Sequence, residues 1–197
     1  GDHPQDDAGA AGGGGEVSLP RASIGTGDVM ETPRVRLRLL DERDESLYRR
    51  IYTDPVLMAL VGEPMDVAQA GNAFLRTCRL NREDALHFRS WVVSMKPEDE
   101  IAGLLGIRRA GDVVEIGGMI LPEWQGKGVS GHAFPLGIAV AFSFPGVARM
   151  MIRYRPENVL AEGLMYKLGF TRVSDRHPED GMVRLYLERE SWRSHNP

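Results

Sequence analysis

Residues 115–131, EIGGMILPEWQGKGVSG, constrain this chain more than any other stretch. Just before and within them, Val113, Val114, Ile116, Met119, Ile120 and Leu121 make a nearly continuous apolar run between Gly111-Asp112 and Pro122, the pattern of a buried strand. The chain then turns through Trp124, Gln125, Gly126, Lys127, Gly128, Val129 and Ser130 into a small and apolar run, residues 131–144, long enough for a helix. A strand, a glycine-rich turn and a helix start gather backbone N–H groups at the positive end of a helix dipole, which suits a phosphate. The turn is therefore expected to hold an anionic ligand.

The remaining chain reads as one domain around that turn. Residues 1–29 carry a four-glycine run, two prolines and few large apolar side chains, too little to offset the entropy of ordering, and are expected to form a disordered acidic extension before a domain over 30–197. Met30, at the junction, reads either as an alternative translation start or as an ordinary methionine. Residues 34–40 alternate charged and apolar, as a half-buried strand does. A helix is expected over 41–54, with Asp41 or Asp44 as N-cap and Pro55 as its limit, and another over 66–80. Residues 88–95, 101–108 and 113–121 read as an antiparallel meander, followed by the helix 131–144, a strand over 148–154 and a helix over 158–168 stopped by Gly169. Segments 170–175 and 182–187 are expected to form a closing hairpin.

Composition narrows the function classes. Hydrophobic residues make 42% and charged residues 26%, and no apolar run approaches the roughly 20 residues that span a bilayer, so a soluble protein with no membrane partner is expected. Cys78 is the lone cysteine and no secretory leader is evident, which favours a cytoplasmic setting. The net charge of −4 lies in residues 1–29, where five acidic residues face Arg21 alone, leaving 23 basic and 23 acidic residues elsewhere. Without a basic excess, no nucleic-acid partner is expected. His87, His132 and His177 lack metal-ligand spacing, so no metal site is expected.

Two kinds of site fit the glycine turn. Gly126-Lys127-Gly128-Val129-Ser130-Gly131 matches G-x-G-x-x-G, but a dinucleotide fold places that motif on its first parallel strand and an acidic residue at the end of the next one. Here a meander precedes the turn, and the next strand ends Arg153-Tyr154-Arg155. The alternative is a coenzyme A site. Gln125-x-x-Gly128-x-Ser130, after a strand beginning Glu115-Ile116-Gly117, resembles the acetyl-CoA motif of GNAT acetyltransferases, and Asn158-x-x-Ala161-x-x-Leu164 with Lys167-Leu168-Gly169-Phe170 resembles the family's next motif. TPRVRLRLL, LPEWQGKG, RPEN and Trp192 look most like the branch that acetylates ribosomal-protein N-termini. The resemblance spans residues 32–192.

That resemblance implies an α+β fold: a mixed, mostly antiparallel sheet flanked by helices, with a parallel, splayed strand pair at the CoA site. It implies acetyl-CoA as cosubstrate, Met119, Ile120 and Leu121 offering backbone groups to the pantetheine, and the turn of Gln125, Gly126, Lys127, Gly128, Val129 and Ser130 cradling the pyrophosphate. Asn158 would contact the pantetheine or cap its helix, and Lys167 would touch phosphate or only solvent. The implied reaction is acetyl transfer to a primary amine, on a protein N-terminus, a small molecule or an antibiotic-like compound, by direct attack in a ternary complex. The alternative is a silent CoA-binding sensor on the same fold, as a monomer or homodimer. Glu115 is the expected base, resembling the glutamate that serves so in some members, or else a strand-start charge facing solvent or paired with an arginine. Met165 stands where many members place a tyrosine that protonates the departing thiolate, which passes that role to Tyr166, to Ser130 or to water, with Tyr166 first. Ser130 replaces a Gly or Ala, and Pro135 is expected to kink its helix unless it falls in the first turn.

Overall fold

Alternating side chains sort themselves to two faces of a single sheet. In the computed structural model, which describes residues 28–173 and 179–195, seven strands lie in chain order: β1 (Val29–Glu31), β2 (Val35–Leu39), β3 (Phe88–Met95), β4 (Glu100–Ala110), β5 (Val113–Ile120), β6 (Arg149–Tyr154) and β7 (Val183–Glu188). Neighbours are antiparallel except β5 and β6, which run parallel. On β3, Val92 joins one core with Leu40, Tyr48, Ile51, Phe74, Leu104 and Leu121, while Trp91 and Val93 join another with Leu105, Ile107 and Ile116. That division is the period-two rule at work. Helices α1 (Glu45–Thr53), α2 (Pro55–Met58) and α3 (Val67–Glu83) belong to the first face. Helix α4 (Val129–Ser143) covers the second, with α5 (Val159–Lys167) and α6 (Arg189–His195) closing its edge.

Helix α4 is apolar all round and buries ten of its fifteen residues, as a helix enclosed by protein does. A Cβ on Gly137 would lie 3.0 Å from Leu105 Cδ2 and 3.1 Å from Ile116 Cδ1, so glycine lets the helix lie close on the sheet. Pro135 falls beyond the first turn, yet the helix runs unbroken through it. Burial rather than propensity holds α4 together.

The parallel pair separates early. Val113, Val114 and Glu115 face Arg149, Met150 and Met151, and there the ladder ends, while β5 stays paired to β4 as far as Ile120 and β6 to β7 as far as Tyr154. The result is the expected splayed pair, a V open toward the glycine turn.

Several boundaries differ from the sequence expectation. Val29, assigned to the extension, pairs with Arg38, and Met30 is a core residue of β1; residues 1–27 lie outside the described residues. Both proposed caps at the first helix act together, because the Asp41 side chain accepts from the Arg43 amide while the Asp44 side chain accepts from the Asp41 amide, around a 3-10 turn at Glu42–Asp44. Of the expected closing hairpin, the described residues show a bridge from Thr171 to Tyr186, and residues 174–178 fall outside the described residues. Trp192 sits in α6, a helix of seven residues that periodicity alone did not mark.

Candidate active site

At the mouth of the V the chain leaves β5 through a tightly bonded corner. The Leu121 amide donates to Ala102 O (2.8 Å), the Leu121 carbonyl accepts from the Trp124 amide (2.9 Å), and the side chain is 2% exposed. Leu121 thus has its amide spent inside the protein, unlike the free edge group that the resemblance implied. Met119 and Ile120 are half-buried on the arm of the V. Gln125 Nε2 donates to Ile120 O at 3.1 Å, tying the turn to the strand.

Gly126 (φ 74°) and Gly128 (φ 77°) both adopt the left-handed conformation, which costs other residues about 1–2 kcal/mol. No protein atom lies within 4 Å of a Cβ built on either, so backbone conformation already requires glycine before any ligand is considered. Lys127 Nζ lies 5.0 Å from the Trp124 ring centroid. Helix α4 then begins at Val129, whose side chain is buried, and at Ser130, half-buried. Gly128 is its N-cap with no side-chain bond, and the first turn holds no acidic residue. By contrast Asp54, Asp66 and Asn158 each accept a backbone amide at the start of α2, α3 and α5. The amides opening α4 therefore have no side-chain acceptor among the described residues.

Across the V stands the end of β6. Arg155 Nε is buried without a hydrogen-bond partner, and Asn158 Oδ1 caps α5 by accepting from the Ala161 amide at 3.3 Å. Tyr154 is buried and donates its hydroxyl to Glu162 Oε2 (2.8 Å); burial, then this carboxylate, push that hydroxyl well above its usual range. Met165 is 1% exposed, so the position at issue is a core side chain with no proton to give. Tyr166 is 45% exposed, one turn beyond Glu162, and Lys167 is exposed at the last residue of α5.

Glu115 lies in the closed part of the V, opposite Met151 and about 17 Å along the strand from Ile120. Its Oε1 accepts from Arg153 Nε at 2.7 Å. Arg184 is beside it and is itself bonded to Asp180, at 2.7 Å and 3.1 Å. Sequence spacing did not disclose this network. Nor did it disclose the aromatic wall above the first face, where Tyr48 and Tyr52, one turn apart on α1, have ring centroids 4.4 Å apart. Tyr52, like Met119 and Trp124, packs against the core of the first face, and burial pushes its hydroxyl up to about 12. The i, i+4 tyrosines were the available signal. Among the described residues no three metal-ligating side chains cluster, and no helix is long and apolar enough to cross a membrane.

Residues 34–171 match the family model for the acetyltransferase (GNAT) domain. The chain belongs to the GNAT acetyltransferase family. The GNAT domain resembles spermidine N-acetyltransferase from Vibrio cholerae in complex with CoA and spermine, with a TM-score of 0.70 and 18% identity over 82% of this chain and 99% of that one. Mycobacterium smegmatis RimJ in complex with CoA-disulfide gives a TM-score of 0.64 and 22% identity, over 79% and 82%. An aminoglycoside acetyltransferase in complex with coenzyme A gives 0.67 and 18%, over 81% and 98%. At these identities the likeness is one of fold, and no curated protein matches the sequence. The activity class is acetyl transfer.

Proposed function

We propose that this domain moves acetyl from acetyl-CoA to a primary amine by direct attack in a ternary complex. The observation that carries the reading is the uncapped start of α4 beside the splayed β5–β6 pair. Amides from Gly126 to Ser130 suit the pyrophosphate, the Gln125 amide being bonded to the Pro122 carbonyl, with Lys127 adding positive charge, and Arg155 Nε, unpartnered among the described residues, suits a carbonyl oxygen of the pantetheine. Met119 and Ile120 would line the arm along which it runs, and Asn158 would serve chiefly as the cap of α5.

Acetyl-CoA supplies the thioester. The acceptor nitrogen bonds to the carbonyl carbon, the C–S bond breaks, the amine's proton leaves to a base and the thiolate takes up a proton. An alkylamine is mostly protonated near pH 7, so the base matters. Glu115 is assigned that role through water, its carboxylate oriented by Arg153 on the first face of the sheet. A strand amide near Met119 would hold the developing oxyanion. With Met165 buried, thiolate protonation falls to Tyr166 or water.

Acceptors named with the structural relatives, spermine and aminoglycosides, support amines in general. The sequence likeness to ribosomal-protein N-terminal acetyltransferases, with RimJ among the relatives, supports a protein N-terminus as one acceptor. Release of free thiol from acetyl-CoA with a panel of amines and peptide N-termini tests the reading. Glu115→Gln is expected to lower turnover by about 10²-fold, and to alter its profile across pH 6 to 9, while the CoA-dependent rise in melting temperature persists. An unchanged rate and profile would leave Glu115 a structural ion-pair residue. Stabilisation by NADH and not by CoA would overturn the whole proposal.

A further inference from the structure

Among the described residues the helices cover only part of the first face of the sheet, and the part they leave exposed has a defined shape. Residues directly opposite in a ladder share a face, so Val92, Leu104 and Met119 form one row, Ser90, Gly106 and Gly117 the next, and Phe88, Arg108 and Glu115 the third. Leu104 and Val92 belong to the core under α1 and α3, which fixes the side. The middle row has no side chain on β4 or β5, and a Cβ built on Gly117 meets nothing within 4 Å. A trough therefore crosses the floor into the V, with Met119 on one bank, Arg108 with Glu115 on the other, and each bank about 7 Å from the glycine row between them at two residues per step.

Charge on this floor is not balanced. Glu115 is paired with Arg153, Asp180 with Arg184 and Glu188 with Arg149, at 2.7, 2.7 and 3.4 Å. Arg108 is exposed and lies over the Phe88 ring (5.8 Å to its centroid), with no carboxylate within ion-pair distance among the described residues; Arg76 on α3 likewise has none. Both guanidiniums act on the Tyr48 hydroxyl, opposing the upward push of burial, and Arg108 acts on Tyr52 as well. Two unpaired cations thus converge on the tyrosine wall beside the trough.

We propose that the acceptor amine carries a carboxylate, which Arg108 binds with help from Arg76 while the amine reaches along the Gly106–Gly117 trough into the V. This inference rests on the proposed acetyl transfer and adds the acceptor class. A guanidinium recognises a carboxylate through paired charge-assisted hydrogen bonds, whereas a polyamine would meet like charge at the same bank. A free amino acid and a peptide with an acidic first residue both present this chemistry.

The test uses the full chain, acetyl-CoA and matched acceptors: an aliphatic amino acid, its amide, a C-terminally amidated peptide beginning with aspartate, and spermine. The expected result is a kcat/KM for one carboxylate acceptor at least about tenfold above that for the amino-acid amide, with spermine poorest. Whether the amino acid or the aspartyl peptide leads identifies the source of the carboxylate. Arg108→Gln should bring acid and amide level, mainly through KM, Arg108→Lys should restore part of the difference, and Arg76→Gln should reduce it less. The CoA-dependent melting shift reports folding in each variant. Transfer that is equal for acid and amide, or best with spermine, overturns the anionic acceptor and leaves acetyl transfer standing. CoA binding with no transfer to any acceptor overturns the acetyl-transfer reading itself.

Discussion

The two ends of α4 are treated in opposite ways. At its start, Gly128 turns the chain left-handed, no side chain among the described residues accepts from the first amides and no acidic residue stands in the first turn. At its far end, Arg189 from α6 donates to the carbonyls of Phe142 (2.6 Å), Phe144 (3.1 Å) and Val147 (2.5 Å) and lies 5.4 Å from the Phe142 ring centroid. One helix dipole has its negative end satisfied by the protein and its positive end left open. The far end recruits its partner from within the chain, and the open end is the one proposed to hold a ligand.

Removing Arg189 should give the largest loss of stability. Arg189→Ala takes a charged donor away from three carbonyls and is expected to cost about 3 kcal/mol, read as a fall in the denaturation midpoint, while the shift produced by saturating CoA stays intact. If stability falls by less than about 1 kcal/mol, the two ends are less different than the geometry says.

Blocking the open end should act the other way round. Gly128→Glu brings an anion and a Cβ to the turn, and is expected to cost about 1–2 kcal/mol through its positive φ. It should also erase the CoA-dependent stabilisation, about 2.7 kcal/mol at a hundredfold excess over Kd. A variant that still gains its full melting shift with CoA would break the assignment of this end.

Asp66→Ala serves as a control from the opposite face. It opens a helix start that is normally closed by reciprocal bonds between Asp66 and Gln69, and should cost about 1 kcal/mol with no effect on CoA. The smallest effect concerns pH. His132, in the second turn of α4, is pushed below its usual value by burial and then by Arg34. Its folded value lies below the unfolded one, so the unfolded chain binds the proton more tightly and stability declines as pH falls through about 6.5. Melting curves between pH 5 and 7 should show a shallower decline for His132→Gln, and equal slopes would remove His132 as the cause.

Much of the binding end was legible beforehand because it is a local structure. Positive-φ glycines, a strand that stops at Pro122 and a helix that starts at once lie within some twenty residues, and each leaves a mark in residue type. The sheet was legible for a similar reason, since alternation assigns Val35 and Leu37 inward without knowledge of what covers them. The bulky partners that cover them were not. Pro135, read as the source of a kink unless it fell in the first turn, lies beyond that turn within a continuous helix, where burial on several sides offsets one missing hydrogen bond.

By itself the sequence determined the order of the main strands and helices and the glycine-rich turn between β5 and α4, though not β1, α2 or α6, because backbone conformation depends on near neighbours. Only the tertiary structure decided that Glu115 is held by Arg153, that the Tyr154 hydroxyl donates a hydrogen bond to Glu162, that Met165 is sealed in the core and that Arg189 closes the far end of α4. These side chains meet because a sheet and its helices bring them together in space. Periodicity names the face on which a residue lies, but the charge or carbonyl that it will find there is set by a segment far along the chain.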